Sequence, residues 1–307
     1  MKTTSVLLAP SFLLAGALAL CGASAARSQT TVPTPTFTWN FDGGAATDSS
    51  GNGHDGVISG NVTKGAGATG DGLTGFTSST SYVTYNTGIT NPLNSDKNET
   101  LSLWLKNPGT ADRVVILGVG STGSGNRQVE LWLTQSGGQY TLNLGYQNWN
   151  GNTQSFASSA FTWGADTWYN LSFVISKAPN NGSDKQLYDF TVYLTAQDAA
   201  GLNTTPILSG VVGTGYGTTG PANAPADAGV VYVGANTAGF YNPFKPAGYF
   251  GGSIDSVSYW EGMALTADQL NEAFLATQPI PEPAAMAALA GAGVLALAFV
   301  VRRRSRR

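Results

Sequence analysis

Between Phe37 and Tyr259 the chain repeats one pattern, and that pattern decides what it can fold into. Short runs carry an apolar residue at every second position and are broken by glycine and asparagine. Leu101, Leu103 and Leu105 point one way while Ser102 and Trp104 point the other. Tyr169, Leu171, Phe173 and Ile175 alternate with Trp168, Asn170 and Ser172, and Phe190, Val192 and Leu194 do the same. A period of two places one face of an extended strand on a core and the other toward solvent. Further runs of this kind cover 37–41, 82–85, 114–118, 128–133, 140–146, 230–234 and 252–259. Glycine-rich stretches such as 118–125 and 213–220 separate many of them, and no strong helical pattern intervenes. Many short strands with turn signals between them predict an all-β, antiparallel sandwich or barrel.

One helix is expected, close to the end of this region. Thr266-Ala267-Asp268-Gln269 fits a capping box, and Leu270, Phe274 and Leu275 form an apolar stripe. Pro279, Pro281 and Pro283 then stop regular structure. Residues 284–301 hold no charge and are just long enough to cross a bilayer as a single transmembrane helix. Arg302, Arg303, Arg304, Arg306 and Arg307 follow at once, and the positive-inside rule keeps them cytoplasmic with the β-region outside.

The other end also reads as an address. Lys2 supplies a positive start, residues 6–20 an apolar core, and Ala23-Ser24-Ala25 a small-residue cleavage site, which is a secretory signal peptide over 1–25. Cys21, the one cysteine, falls inside it. Leu18-Ala19-Leu20-Cys21 resembles a lipobox, although Leu20 is large where that box wants a small residue. Cleavage after Ala25 leaves no cysteine, so stability must come from core burial rather than disulfides.

Charge divides the same way. Lys2 and the five C-terminal arginines take six of the fifteen basic residues, leaving nine against eighteen acidic ones in the middle. An acidic domain argues against a nucleic-acid partner, which needs basic patches, and suits an extracellular domain or one that binds cations. The expected organisation is signal 1–25, linker 26–36, β-domain 37–278, proline-rich linker 279–283, membrane span 284–301 and basic tail 302–307.

Two resemblances follow from quoted residues. Pro281-Glu282-Pro283, then an apolar span, then a terminal arginine cluster resembles the PEP-CTERM sorting signal in all three parts. That resemblance implies a Gram-negative source, recognition by an exosortase as processing partner, and cleavage near 281–283. It also implies a transient inner-membrane anchor and a place in the biofilm or exopolysaccharide matrix. Trp39-Asn40-Phe41-Asp42 followed by Asp48-Ser49-Ser50-Gly51-Asn52-Gly53-His54-Asp55-Gly56 is similar to the start of LamG-like, concanavalin A-like jelly-roll domains. Gly252-Ser253-Ile254-Asp255-Ser256-Val257-Ser258-Tyr259-Trp260, followed by Ala264-Leu265-Thr266, resembles their last strand and closing helical turn. Trp168-Tyr169-Asn170-Leu171 sits where the family often has a tryptophan-led strand. The implied fold is two antiparallel sheets packed as a jelly roll.

Candidate sites are few. Asp42, Asp48, Asn52, Asp55 and Asp255 offer the oxygen ligands that calcium takes. The same Asp48, Asn52 and glycines also suit a tight turn closed by side-chain to backbone hydrogen bonds. The spacing is not that of an EF-hand. His54 stands in this turn as the one histidine, with no GxSxG elbow or HExxH helix beside it, and is expected at the surface. Glycoside hydrolysis needs a carboxylate pair about 5 Å apart for retention, yet Gln128-Val129-Glu130-Leu131-Trp132-Leu133 carries Glu130 alone. Trp149, Trp163, Tyr216, Tyr241, Phe244 and Tyr249 lie in or beside loops, where aromatic faces stack on sugar rings; aromatics also fill sandwich cores. The sequence therefore points to a non-catalytic extracellular domain that binds carbohydrate or another matrix component. A structural or adhesive protein without a sugar site is the alternative, and a concanavalin A-like glycoside hydrolase a further one.

Overall fold

The computed structural model describes residues 30–85, 98–111, 113–120, 128–147, 153–178, 187–213, 230–235 and 248–278. The signal segment 1–25, the Pro281-Glu282-Pro283 motif and the apolar span 284–301 lie outside the described residues. Among those that are described, no helix is long and apolar enough to cross a membrane.

The described residues from Val32 onward belong to one compact unit. In chain order its strands are β1 (Phe37–Trp39), β2 (Val57–Ser59), β3 (Thr63–Ala66), β4 (Asp71–Thr74) and β5 (Tyr82–Tyr85). Then come β6 (Glu99–Lys106), β7 (Val114–Gly120), β8 (Gln128–Ser136), β9 (Gln139–Gln147) and β10 (Thr153–Ala157). The last are β11 (Trp168–Lys177), β12 (Leu187–Ala196), β13 (Leu208–Gly213), β14 (Val230–Val233) and β15 (Ser253–Glu261), followed by helix α1 (Ala267–Ala276).

Two antiparallel sheets result. The first runs β13-β12-β11-β6-β15-β4-β3, with β1 also paired to β15. β1 and β4 take opposite ends of β15, Phe37 facing Tyr259 and Leu73 facing Ile254, and a bulge between Asp255 and Ser258 separates the two pairings. The second sheet runs β10-β9-β8-β7-β14-β5-β2. The alternation read from the sequence supplies the interior. Leu101, Leu103 and Leu105 of the first sheet meet Leu131, Leu133, Leu142 and Val233 of the second in one apolar core. The fold is thus an all-β sandwich of two antiparallel sheets with one short helix.

The opposite face of the first sheet does not look at solvent as the alternation predicts. Trp104, Trp168 and Trp260 are all buried there, in a second cluster with Leu270 and Phe274 of α1. Trp104 and Phe274 stack with centroids 5.5 Å apart. The helix starts where the capping box places it: Thr266 Oγ1 accepts from the Gln269 N–H, and Gln269 Oε1 accepts from the Thr266 N–H. Its other end is fastened too. Trp104 Nε1 donates to Thr277 Oγ1, and Gln278 Nε2 donates to the carbonyls of Gln197 and Ala199.

Two further expectations are corrected. The linker expected over 26–36 is docked on the sheet in its second half. The Thr36 N–H bonds the Tyr259 carbonyl, Thr36 Oγ1 accepts from the Glu261 N–H, and the Pro33 carbonyl accepts from Trp260 Nε1. The first strand stops at Trp39 rather than Phe41, because Phe41 is left-handed (φ 58°) and opens a single 3₁₀ turn at Asp42–Gly44.

Candidate functional site

The outer face of the second sheet gathers the polar and charged side chains that the core excludes. On β8, Val129, Leu131 and Leu133 point inward, so Glu130 and Trp132 point out; on β9, Asn143, Gly145 and Gln147 share that face. Glu130 has a glycine opposite it on each neighbouring strand, Gly145 on β9 and Gly118 on β7, and Tyr232 of β14 stands beyond Gly118. A Cβ built on Gly118 would meet no atom of the described residues within 4 Å, so the sheet keeps an unfilled place between Glu130 and Tyr232.

Arg113, just before β7, organises the charge. Its guanidinium lies 4.1 Å from the centroid of the Trp132 ring, and Nη2 is 2.7 Å from Glu130 Oε1. That approach is off the line of a hydrogen bond, so Nε and Nη2 are buried N–H donors without an aligned acceptor among the described residues. Both partners are well shielded, with side chains 12% and 4% exposed. A cation over an aromatic face gains roughly 0.5–2 kcal/mol, more as water is excluded. An unused buried donor costs about 1–3 kcal/mol. Tyr82 packs edge-on against Tyr232 at 5.0 Å on the same face. No second carboxylate stands in the cross-strand row of Glu130, which reads Gly145, Glu130, Gly118, Tyr232, Thr84.

The expected calcium ligands do not converge. Asp48 Oδ1 accepts from the N–H groups of Thr38 and Ser50, and Oδ2 accepts from the His54 N–H and the Ser50 hydroxyl. Burial pushes this carboxyl up, but the backbone donors of Thr38, His54 and Ser50 outweigh it and hold the pKa at about 2. Asp55 Oδ1 accepts from the Asp48 N–H, and Asn52 Nδ2 donates to the carbonyls of Pro35 and Thr36. Asp42 Oδ1 instead accepts from the Asp71 N–H, tying the 3₁₀ turn to the β3–β4 hairpin. Asp255, fully buried on the bulge of β15, takes the Ala68 and Thr69 N–H groups on Oδ2 and the Ser256 N–H on Oδ1. The five residues thus close three separate backbone junctions. Among the described residues no group of three or more His, Cys, Asp or Glu is set to hold a metal.

His54 is half-buried rather than a bare surface residue. Its ring meets Tyr85 edge-on, Nδ1 bonds the Tyr85 hydroxyl, and its carbonyl accepts from Trp39 Nε1. Gly56 completes this turn, because a Cβ there would come within 2.9 Å of the Trp39 ring.

Of the six loop aromatics, Trp163 is a core residue: it is 8% exposed and packs against Tyr140, Phe161 and Tyr169. Tyr249 is half-buried and bridges to Ala235 beside β14. Trp149, Tyr216, Tyr241 and Phe244 lie outside the described residues. Their segments, 148–152, 214–229 and 236–247, each begin or end on a strand of the second sheet or on its continuation at Ala235.

No family profile and no curated protein matches the sequence. Solved structures do. The binding domain of botulinum neurotoxin DC in complex with SialylT is 12% identical with a TM-score of 0.49, over 80% of this chain and 52% of that one. The binding domain of Paraclostridial Mosquitocidal Protein 1 is 12% identical with a TM-score of 0.48, over 78% and 52%. The chain spans about half the length of the solved structures it matches. Likeness at this level assigns neither ligand nor partner to this chain.

The site residues that sequence reasoning missed are Arg113, Trp132, Gln147 and Tyr232. A signal was present for Trp132. In Gln128-Val129-Glu130-Leu131-Trp132-Leu133 the inward residues are aliphatic and the outward ones acidic and aromatic, which is unusual for a face left to water.

Proposed function

We propose that this protein is a non-catalytic carbohydrate- or matrix-binding protein of the cell envelope, its β-sandwich a concanavalin A-like jelly roll. The observation that carries the proposal is the Arg113–Trp132–Glu130 group beside the unfilled place over Gly118. A planar guanidinium with N–H donors and an aromatic ring beside it are suited to hydrogen-bonding sugar hydroxyls and stacking on sugar rings. Trp149 lies in the segment that joins β9 to β10 of this sheet, and Tyr216, Tyr241 and Phe244 lie in segments that connect it, at β14 and Ala235, toward strands of the first sheet. The lone Glu130, ion-paired and without a carboxylate partner in its row, supports binding rather than hydrolysis.

The address completes the proposal. The signal over 1–25 exports the chain, the span 284–301 holds it briefly in the inner membrane, and an exosortase releases it at Pro281-Glu282-Pro283 into an exopolysaccharide or biofilm setting. Intact mass of protein recovered from cells tests the processing: loss of 1–25 and of the residues after the motif is expected, and retention of both ends refutes it. A glycan microarray probed with residues 27–278 tests the binding. Selective signal on one or a few glycan classes is expected, and background signal on all of them refutes it.

A further inference from the structure

The first sheet carries a second feature that the binding face does not use. Ser172 of β11, Ser102 of β6, Ser258 of β15 and Thr38 of β1 stand opposite one another in strict cross-strand register, a row of four hydroxyls on the outer face. Asn170 lies beside the row and joins it through Ser102 and Ser172. These groups lie beside α1, whose residues nearest them are small, Ala273 and Ala276, and Thr38 at the end of the row is half-buried. Small side chains over a polar floor leave a half-open pocket of about 220 Å³, walled on one side by Trp260.

The hydrogen bonds inside it do not close. Thr38 Oγ1 and Ser258 Oγ are 3.0 Å apart, so one donates to the other. A hydroxyl has one donor and two acceptor positions, which leaves one of those two protons, and several lone pairs, without a protein partner among the described residues. Ser102, Asn170 and Ser172 satisfy one another on the other side of the row. Among the described residues, no charged side chain lines the pocket.

From this juxtaposition we infer that the pocket beside α1 is a binding site for a small, neutral, polyhydroxylated molecule, the size of a single sugar ring. Hydroxyls and an amide on the floor match the ligand's alternating donors and acceptors. The indole of Trp260, its Nε1 tied to the Pro33 carbonyl, gives an apolar wall held in place. The described lining, being uncharged, favours neutral sugars over anionic ones, which lack a counter-charge there. The cavity is on the opposite sheet from Glu130, so the inference stands whether or not that face binds glycan.

The test uses the full chain in a zwitterionic detergent, titrated with D-glucose, D-galactose and D-mannose. Binding is read by saturation-transfer NMR and by tryptophan emission, since Trp260 lines the cavity. Saturable binding of at least one hexose is expected. Thr38→Val, which removes one hydroxyl with little change of shape, should weaken it about tenfold. Ala273→Leu, which fills the space, should abolish it, and Val57→Thr on the distant edge strand should leave it unchanged. Melting curves establish that each variant is folded. If no hexose binds saturably, the cavity holds water only and the inference is wrong; binding unaltered in folded Thr38→Val overturns it equally.

Discussion

Two aspartates show how much a single carboxylate does here, and they respond to pH in opposite directions. Asp48 accepts four hydrogen bonds and holds the turn after β1. Its folded pKa of about 2 lies below the ordinary 3.8, so its contribution is complete above about pH 4 and is lost as pH falls toward 2. Asp48→Ala should cost about 2 kcal/mol at neutral pH in urea melts, and the cost should shrink below pH 3. Asp255 is the reverse case. Burial pushes its pKa up to about 6, against the opposing N–H bonds of Thr69, Ser256 and Ala68. It is protonated more readily folded than unfolded, so stability should fall as pH rises from about 4 to about 6, by as much as about 3 kcal/mol. Asp255→Asn should flatten that window; a slope unchanged in the variant would mean that another group titrates there. Calcium is tested at the same positions. A self-satisfied turn predicts a melting midpoint unchanged by chelator, whereas a drop would place an ion among Asp42, Asp48, Asn52, Asp55 and Asp255. Asp48 was legible as a turn former because an Asp-Ser-Ser-Gly-Asn-Gly run has little other use. The burial of Trp163 was not, since an aromatic beside a loop has the same sequence signature whether it faces a sugar or a core.

At the level of elements, what reads clearly is what depends on near neighbours. The long strands follow from period-two alternation, and α1 follows from its capping box. Thr266→Ala should cost about 1 kcal/mol, seen as a lower melting midpoint with no change in β-signal. The short strands β2, β3, β4, β10 and β13 left little trace. Thr63-Lys64-Gly65-Ala66 and Asp71-Gly72-Leu73-Thr74 have no alternation of their own, and β4 is an extended segment because Leu73 pairs with Ile254 far along the chain. The same long-range logic hides the outer face of the first sheet. Nothing local to Trp104 announces that a helix 160 residues later will cover it. Phe274→Ala should therefore be as harmful as a core deletion, about 3–5 kcal/mol, and should shift tryptophan emission through the contact with Trp104.

Taken whole, the molecule is a sandwich with differently finished outer faces: one partly covered by α1 beside a row of hydroxyls, the other carrying Arg113, Trp132 and Glu130 beside an unfilled place. The proposed terminal addresses rest on the sequence alone, where targeting signals are short and linear. The binding face was not readable there, because it is assembled from β7, β8, β9 and β14, and its key cation is a lone arginine outside any motif. The central claim is that this face holds sugar through the Arg113 guanidinium. Lysine keeps the charge but loses the planar donors and the ring stacking. Side-by-side glycan microarrays of residues 27–278, unaltered and with Arg113→Lys, address that claim most directly. Selective glycan binding that falls about tenfold or more in a variant of unchanged fold is the predicted result. No glycan bound by the unaltered protein, or equal binding by both, would contradict it.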